Sequence, residues 1–573
     1  MRRPLLVRGI DEDRDSRPSS TVNGSAPRSK FRRALFAVGT SALLIVGTGG
    51  GQSAQADTVP PTNTPATVSA DALPTWQVNG VVWSEVVVGS TVYVTGSFTK
   101  ARPPGVPQGG VGEVTANNIF AFNITTGNRV SAFNHALSAQ GRSVVASPDG
   151  SRIYVGGDFT SVDGVAHGHV AAFNAGTGSL DASFNVNVSN TARALAATAS
   201  TVFIGGGYGA VNGQSRQGLS AVSATTGALL GWAPTVAGGS VWSMVVAPDQ
   251  SRLIVGGSFT TLNGQPAYGM GSLAVTTGGN LPWAANQVIK DATSTGAITS
   301  LRTDGTQIYG SGYAYGSGSS FEGTFAANPT SGAITLLNDC HGDTYDVLPL
   351  GTVLYSVSHA HDCTAIGSFP DTNPRVRWQR ALAQTKYSTT TNKGPDSYGW
   401  NYSGQPASTV LQWFPQLDAG SYTGQTQAAW ALAGNATYVV LGGEFPTVNG
   451  AAQQGLVRMA VAASAPNRRG PSYTTKPSRP VPATTASYVL PGSIRVTFGT
   501  AWDYDNESLT YDLMRDGAVV IHTTQIKTNF WTLPTAAYTD TGLSPGTTHS
   551  YQVRIKDPFG NTIFSPASNS VTA

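Results

Sequence analysis

Charged side chains are scarce in this chain: Asp, Glu, Lys and Arg make up 11% of its 573 residues. The basic ones gather at the start. Residues 1–56 hold nine Lys/Arg against four Asp/Glu, so the remainder carries 25 basic and 27 acidic residues. No basic stripe is left, which excludes nucleic acid as a partner. No long amphipathic helical pattern occurs, and no Arg-Gly-Asp tripeptide supports integrin-type adhesion. Gly316–Gly318 matches a nucleophile elbow at three residues only and lacks its strand–helix context. Cysteine is nearly absent: Cys340 and Cys363 stand alone, and in an exported chain an isolated pair reads as one disulfide.

Glycine, by contrast, is abundant at 68 residues, and with Thr, Ser and Val it suits a β protein with a hydroxyl-rich surface. A unit of about fifty residues returns along the chain. It reads Tyr154-Val-Gly-Gly-Asp-Phe-Thr-Ser-Val-Asp-Gly164, then Phe203–Gly213, Leu253–Gly264 and Val439–Gly450. A second phrase follows it, as in Ala121-Phe-Asn-Ile-Thr-Thr-Gly127 and Ala172–Gly178. One four-stranded sheet per unit cannot bury both faces alone, so the units stack radially as propeller blades. Markers at Gly96, Gly156, Gly205, Gly256, Gly310, Ser356 and Gly442 give seven. The last unit lacks an outer strand after Leu456–Val461, and the strand around Trp76 is expected to supply it and close the ring. The glycines are read as sites of close backbone approach, the aromatic as wedge filler between blades, and Asn-Gly or Asp-Gly as tight turns.

The expected layout is all-β. Residues 1–56 form a secretory signal peptide, with a basic Arg28–Arg33 region, an apolar Ala34–Gly47 run and an Ala54-Gln-Ala56 cleavage site. A flexible leader (57–72), the propeller (73–463), a Pro-rich linker (464–482) and a C-terminal β-sandwich (483–573) follow. No spanning segment remains after signal removal, and the mature chain is expected to act as a monomer outside the cell or at its wall.

Two resemblances accompany this reading. The Val-Gly-Gly-x-Phe-Thr-x-Val-Asn-Gly phrase resembles the bacterial delta-60-repeat β-propellers, a domain-of-unknown-function family of secreted actinobacterial proteins. Leu543-Ser-Pro-Gly-Thr-Thr-His-Ser-Tyr-Gln-Val553 resembles a fibronectin type III module, whose immunoglobulin-like sandwich is implied for residues 483–573. His549 stands where that family carries its corner tyrosine, and Trp502 is expected to face inward. Asp503–Glu507 is oxygen-rich but lacks EF-hand spacing, so it reads as a solvated loop. These resemblances imply an envelope- or polysaccharide-facing role and bring no activity with them.

Candidate site residues gather near the two cysteines. Cys340-His341-Gly-Asp343 enters one strand, and His359-Ala-His361-Asp362-Cys363 leaves its antiparallel neighbour, so both are expected on one face. His341, Asp343, His359, His361 and Asp362 suit a divalent metal or a polar ligand, or else a hydrogen-bonded cap on the disulfide. An insert at 387–406 carries Tyr398, Trp400 and Tyr402, which can stack on sugars or plug the base of a blade. No catalytic residue is identified. Two functions stay open: a secreted, non-catalytic binding or scaffold protein for polysaccharide or envelope protein, and an extracellular glycoside hydrolase or polysaccharide lyase, which would need two flanking carboxylates.

Overall fold

The computed structural model describes residues 65–315, 319–473 and 483–573. The expected signal segment, most of the leader, Gly316–Gly318 and much of the Pro-rich linker lie outside the described residues. Among those described, strands dominate, with one four-residue helix at Ala285–Val288 and one 3-10 turn at Thr364–Ile366. No helix among them is long and apolar enough to cross a membrane.

Seven antiparallel sheets follow one another among the described residues. Their first strands are Val81–Val88, Gly141–Ala146, Ala192–Ala197, Val241–Val246, Gly296–Thr303, Thr344–Leu350 and Ala429–Gly434. Each first strand packs against the next, and the seventh packs against the first, so the succession closes on itself. Every first strand contains a register slip against its neighbour. Such a bulge pushes one residue off the ladder. The displaced residues are Trp83, Arg142, Arg193, Trp242, Thr299, Tyr345 and Trp430. The residue after the bulge often links to the next sheet: Ser84 Oγ accepts the Val144 N–H at 3.1 Å, and Ser243 Oγ that of Leu301 at 2.7 Å. In the sixth sheet Asp346 takes this role, accepting from Leu432 N–H at 2.8 Å and Arg302 at 2.7 Å.

The paired glycines explain why the bulge recurs. A Cβ on Gly157, Gly206, Gly257 or Gly443 would run into the backbone carbonyl of Gln140, Thr191, Ser240 or Ala428, at the start of the same sheet's first strand. The other glycine faces the following sheet. Gly156 lies against Ala192 and Leu195, Gly256 against Ile298 and Leu301, and Gly442 against Val82 and Glu85 of the first sheet. Beyond them Phe98, Phe159, Phe259 and Phe445 are buried. The Asp163-Gly164, Asn212-Gly213, Asn263-Gly264 and Asn449-Gly450 pairs all have positive φ, as tight hairpin turns require.

The seventh sheet receives its outer edge from the start of the described chain, but not from Trp76. Leu73 bridges Arg458, and Val68 bridges Val461. Trp76 instead stacks on Phe120 of the first sheet, with ring centroids 5.7 Å apart. Its neighbours Gln77–Val78 pair with Ala101 and Arg102, in the chain between the first sheet's second and third strands. The leader's last residues are therefore part of the fold: Thr67–Ala70 are buried, because pairing with the final strand satisfies their backbone and removes them from water. Arg458 fastens the junction. Its guanidinium donates to the carbonyls of Pro74 (2.6 Å), Ile124 (2.6 Å) and Thr125 (2.8 Å), joining the first-made segment, the first sheet and the last.

The C-terminal segment forms two main sheets. One comprises Thr485–Leu490, Ser493–Gly499 and Thr535–Thr541; the other is built on Ser508–Arg515 and Tyr551–Lys556. Ile494, Val496, Leu509, Tyr511, Leu513, Val553 and Ile555 fill one core between them. Two expectations fail here. Trp502 does not join that core but packs with Tyr504 and Phe530 among Phe369, Trp413 and Phe414 of the larger unit. The acidic loop is not solvated: Asp503, Asp505 and Asn506 are buried, and Asp505 accepts from Ser69 Oγ at 2.8 Å and Ala70 N–H at 2.6 Å. Docking against the ring supplies partners that replace water. His549 bonds Asp516 at 2.7 Å, while buried Tyr551 donates its hydroxyl to Asp540 at 2.9 Å.

Arg458→Met keeps the apolar stem and strands three buried carbonyls. Its expected cost is about 3 kcal/mol or more, read as a lower urea midpoint in equilibrium unfolding. An unchanged midpoint would show that the clasp contributes nothing to ring closure.

Candidate functional site

Cys340 and Cys363 are joined in a disulfide. The two stretches beside it run antiparallel, with His341 N–H donating to Asp362 C=O at 2.7 Å and His361 N–H to His341 C=O at 2.8 Å. The staple thereby brings the five expected site residues into one neighbourhood, yet their side chains take different partners. His341 is almost sealed, at 2% exposure. Its Nε2 lies 2.9 Å from Asp396 and its Nδ1 3.4 Å from Glu322. Asp343 accepts from Tyr345 Oη at 3.3 Å. His359 Nδ1 meets Tyr345 Oη at 3.0 Å and Gln427 Nε2 at 2.7 Å. His361 Nδ1 faces Asp371 at 3.3 Å. Asp362 turns to its own chain, accepting from Thr364 N–H at 2.9 Å and Ser397 Oγ at 3.2 Å.

Three further carboxylates complete the network. Asp396 arrives on the 387–406 insert and divides its two oxygens: Oδ1 accepts the N–H groups of Tyr398 and Trp400, ordering its own turn, and Oδ2 faces His341. Asp339 precedes Cys340 and is 1% exposed. Glu322, on the chain entering the fifth sheet's third strand, accepts the Gly342 N–H at 2.9 Å. Among these, Asp339 and Glu322 had no feature in the sequence that set them apart from structural acids; adjacency to Cys340 was the one available signal for Asp339. Asp396 lay within an insert notable chiefly for its aromatics.

Those aromatics divide as well. Tyr398 is half-exposed, accepts from Arg375 at 3.0 Å and meets the His341 ring edge-on at 4.2 Å. Trp400 lies against His341 at 5.4 Å. Tyr402 is buried, its hydroxyl donating to Ser320 C=O at 2.7 Å, so it plugs the sheet base and presents no face to a sugar.

The protonation pattern follows from this arrangement. Burial opposes a charge on His341, but Asp396 and Glu322 override it and push the imidazole up to about 10. Burial would also raise both of those carboxyls; the bonds to His341 instead hold them below the ordinary range. Asp339 and Asp343 are raised, first by burial and then by the neighbouring carboxylates. The His341 imidazole thus sits between two carboxylates, and beside them lie two further buried acids whose carboxyls are pushed up. Burial, reinforced by Arg380 for His359 and by Arg375 for His361, pushes these two imidazoles down to about 3 and about 4. Asp339, His341 and Asp396 also have ligand atoms within 4.8 Å of one another, a donor set that a divalent cation could share.

Comparison with known proteins reaches parts of the chain. A family model described as a domain-of-unknown-function (DUF5122) β-propeller matches residues 148–184, the turn and strands of the second sheet. Chitinase 63 of Streptomyces plicatus is 37% identical over 87 residues, which is 15% of this chain and 12% of that protein. A solved complex of KlAtg21 with the coiled-coil of AgAtg16 superposes over 62% of this chain and 93% of that one, at 9% identity and a TM-score of 0.33.

Acid should expose the cost of keeping His359 neutral. Its folded value lies below the ordinary 6.5, so stability is full above that value and falls as pH drops from about 6.5 toward 3. His359→Gln should flatten this part of the melting temperature–pH curve relative to the parent, with little change at pH 7.5. Parallel curves would refute a buried neutral imidazole. Separately, Cys363→Ser opens a loop of 23 residues and should lower stability by about 3 kcal/mol, read by chemical denaturation.

Proposed function

We propose that this is a secreted, non-catalytic binding and scaffold protein of the extracellular space or cell envelope. In this reading a seven-bladed propeller, closed by its N-terminal strand, carries a fibronectin type III sandwich docked on its side. The cyclic packing of seven sheets, the β-propeller family match and the single core between the C-terminal sheets support it. Its partners are extracellular polysaccharide or envelope protein.

One observation favours binding over hydrolysis. Asp339, Glu322 and Asp343 are buried, and the Asp396 side chain is 2% exposed beside His341. A glycosidase needs its two carboxyl groups on either side of a reachable glycosidic bond. Here the acids are spent on one another and on His341, and the cluster holds the insert onto the ring. A hydrolase remains the second reading because of the chitinase match. That match is the length of one small module, which fits a shared accessory segment. A divalent ion at Asp339, His341 and Asp396 is the cluster's alternative occupant.

The protein should retain at least one glycan on an array while releasing no reducing ends from it. Release of reducing ends that Asp396→Asn abolishes would overturn the reading. A stoichiometric divalent ion in the purified protein, lost in His341→Ala, would assign the cluster to metal.

A further inference from the structure

The bulges have a second consequence at the end of the ring where the first strands begin. Six of the seven displaced residues, Trp83, Arg142, Arg193, Trp242, Tyr345 and Trp430, are aromatic or arginine, and all are half-buried. Four of them touch in series and the other two form a pair. The Arg142 guanidinium lies 5.1 Å from the Trp83 ring; Trp83 meets Trp430 edge-on at 5.1 Å; Trp430 meets Tyr345 at 4.3 Å. Arg193 lies 3.6 Å over Trp242. The bulge itself imposes no such composition, since the fifth sheet has Thr299 at this place.

Charge is unbalanced on the arginine side. Arg142 reaches Asp158 at 3.5 Å. Asp158 is already committed to Gln140 at 2.7 Å and Thr191 at 2.7 Å. Arg193 has no ion-pair partner among the described residues. Burial first, and then repulsion from Arg142, push its guanidinium down to about 9. Glu444 lies at the Trp430 end of the mouth and is held by Thr423 and by the Trp430 indole N–H at 3.1 Å. Two guanidinia thus lie near one carboxylate that is already occupied, and Trp242 is held between Arg193 and the Tyr313 ring, stacked at 5.8 Å.

We propose that this mouth binds a carboxylate-bearing sugar residue of an acidic polysaccharide, its carboxylate on Arg193 and Arg142, with Trp242 holding the Arg193 guanidinium in place. The inference deepens the binding reading above and rests on it. Guanidinium forks match a planar carboxylate in two parallel hydrogen bonds. Half-burial limits competing water. The two cations form no lysine track, so one anionic group is recognised at a time.

Oligogalacturonate, an alginate oligomer and a hyaluronan tetrasaccharide serve as probes, with a chitin oligomer as the neutral control, in calorimetry on the full chain. At least one uronate oligomer should bind and weaken as salt rises. Arg193→Gln and Trp242→Ala should each weaken it tenfold or more. Arg193→Lys, which keeps charge and loses the fork, should fall between, with melting curves matching the parent. No binding of any uronate probe, or binding untouched by these variants, would overturn the inference. Neutral glycan bound alone would defeat the inference and leave the binding reading standing. A uronate bound at the mouth and then cleaved would do the reverse.

Discussion

The ring rests on backbone packed too closely for side chains. In four of the sheets the second strand ends in paired glycines, because one must pass over the carbonyl of its own bulged neighbour and the other must admit the next sheet. Removing a Cβ costs conformational entropy, and here close approach of neighbouring strands offsets it. The bulge relieves the crowding on the first strand by pushing one residue off the ladder. That residue cannot point into the packed wedge and is left half-buried at the ring's mouth. The repeat is therefore also a device for delivering seven side chains to one end of the ring.

Against this regular frame the sixth sheet is the exception. Its bulge is followed by Asp346 where others have serine or alanine, its second strand carries Val357 and Ser358 at the places of the paired glycines, and a disulfide stands beside it. The acid–histidine network built there ends at Tyr345, whose hydroxyl meets Asp343 and His359 and whose ring meets Trp430. The network and the mouth thus share one side chain, and order in the 387–406 insert passes to the mouth through it.

Much of the ring was legible in the sequence because its signals are local. The Gly-Gly pairs, the Asn-Gly turns and the period near fifty each report a constraint within a dozen residues. The meeting of Cys340 with Cys363 was legible for the same reason, since both flank neighbouring strands. What was not legible depends on distant surfaces. Trp502 has the pattern of a residue facing its own core, and only docking on Phe369 and Phe414 draws it outward. Asp503–Glu507 reads as a solvated loop until Ser69 and Ala70 supply hydrogen bonds. Trp76 and Leu73 sit three residues apart, yet one joins the first sheet and the other the last, a distinction that hydropathy does not encode. Glu322 and Asp396 reach His341 from different sheets, and no spacing rule connects them.

The clasp at Arg458 also sets an order of events. Pro74 and Arg458 are separated by 384 positions, so the edge that Leu73 completes does not exist until almost the whole ring has been made. Until then Thr67–Leu73 have no strand to pair with, and the first sheet lacks its neighbour. Contacts this distant make closure slow and late. The earliest-synthesised strand must be kept from other sheet edges for the entire time the ribosome takes to supply its partner.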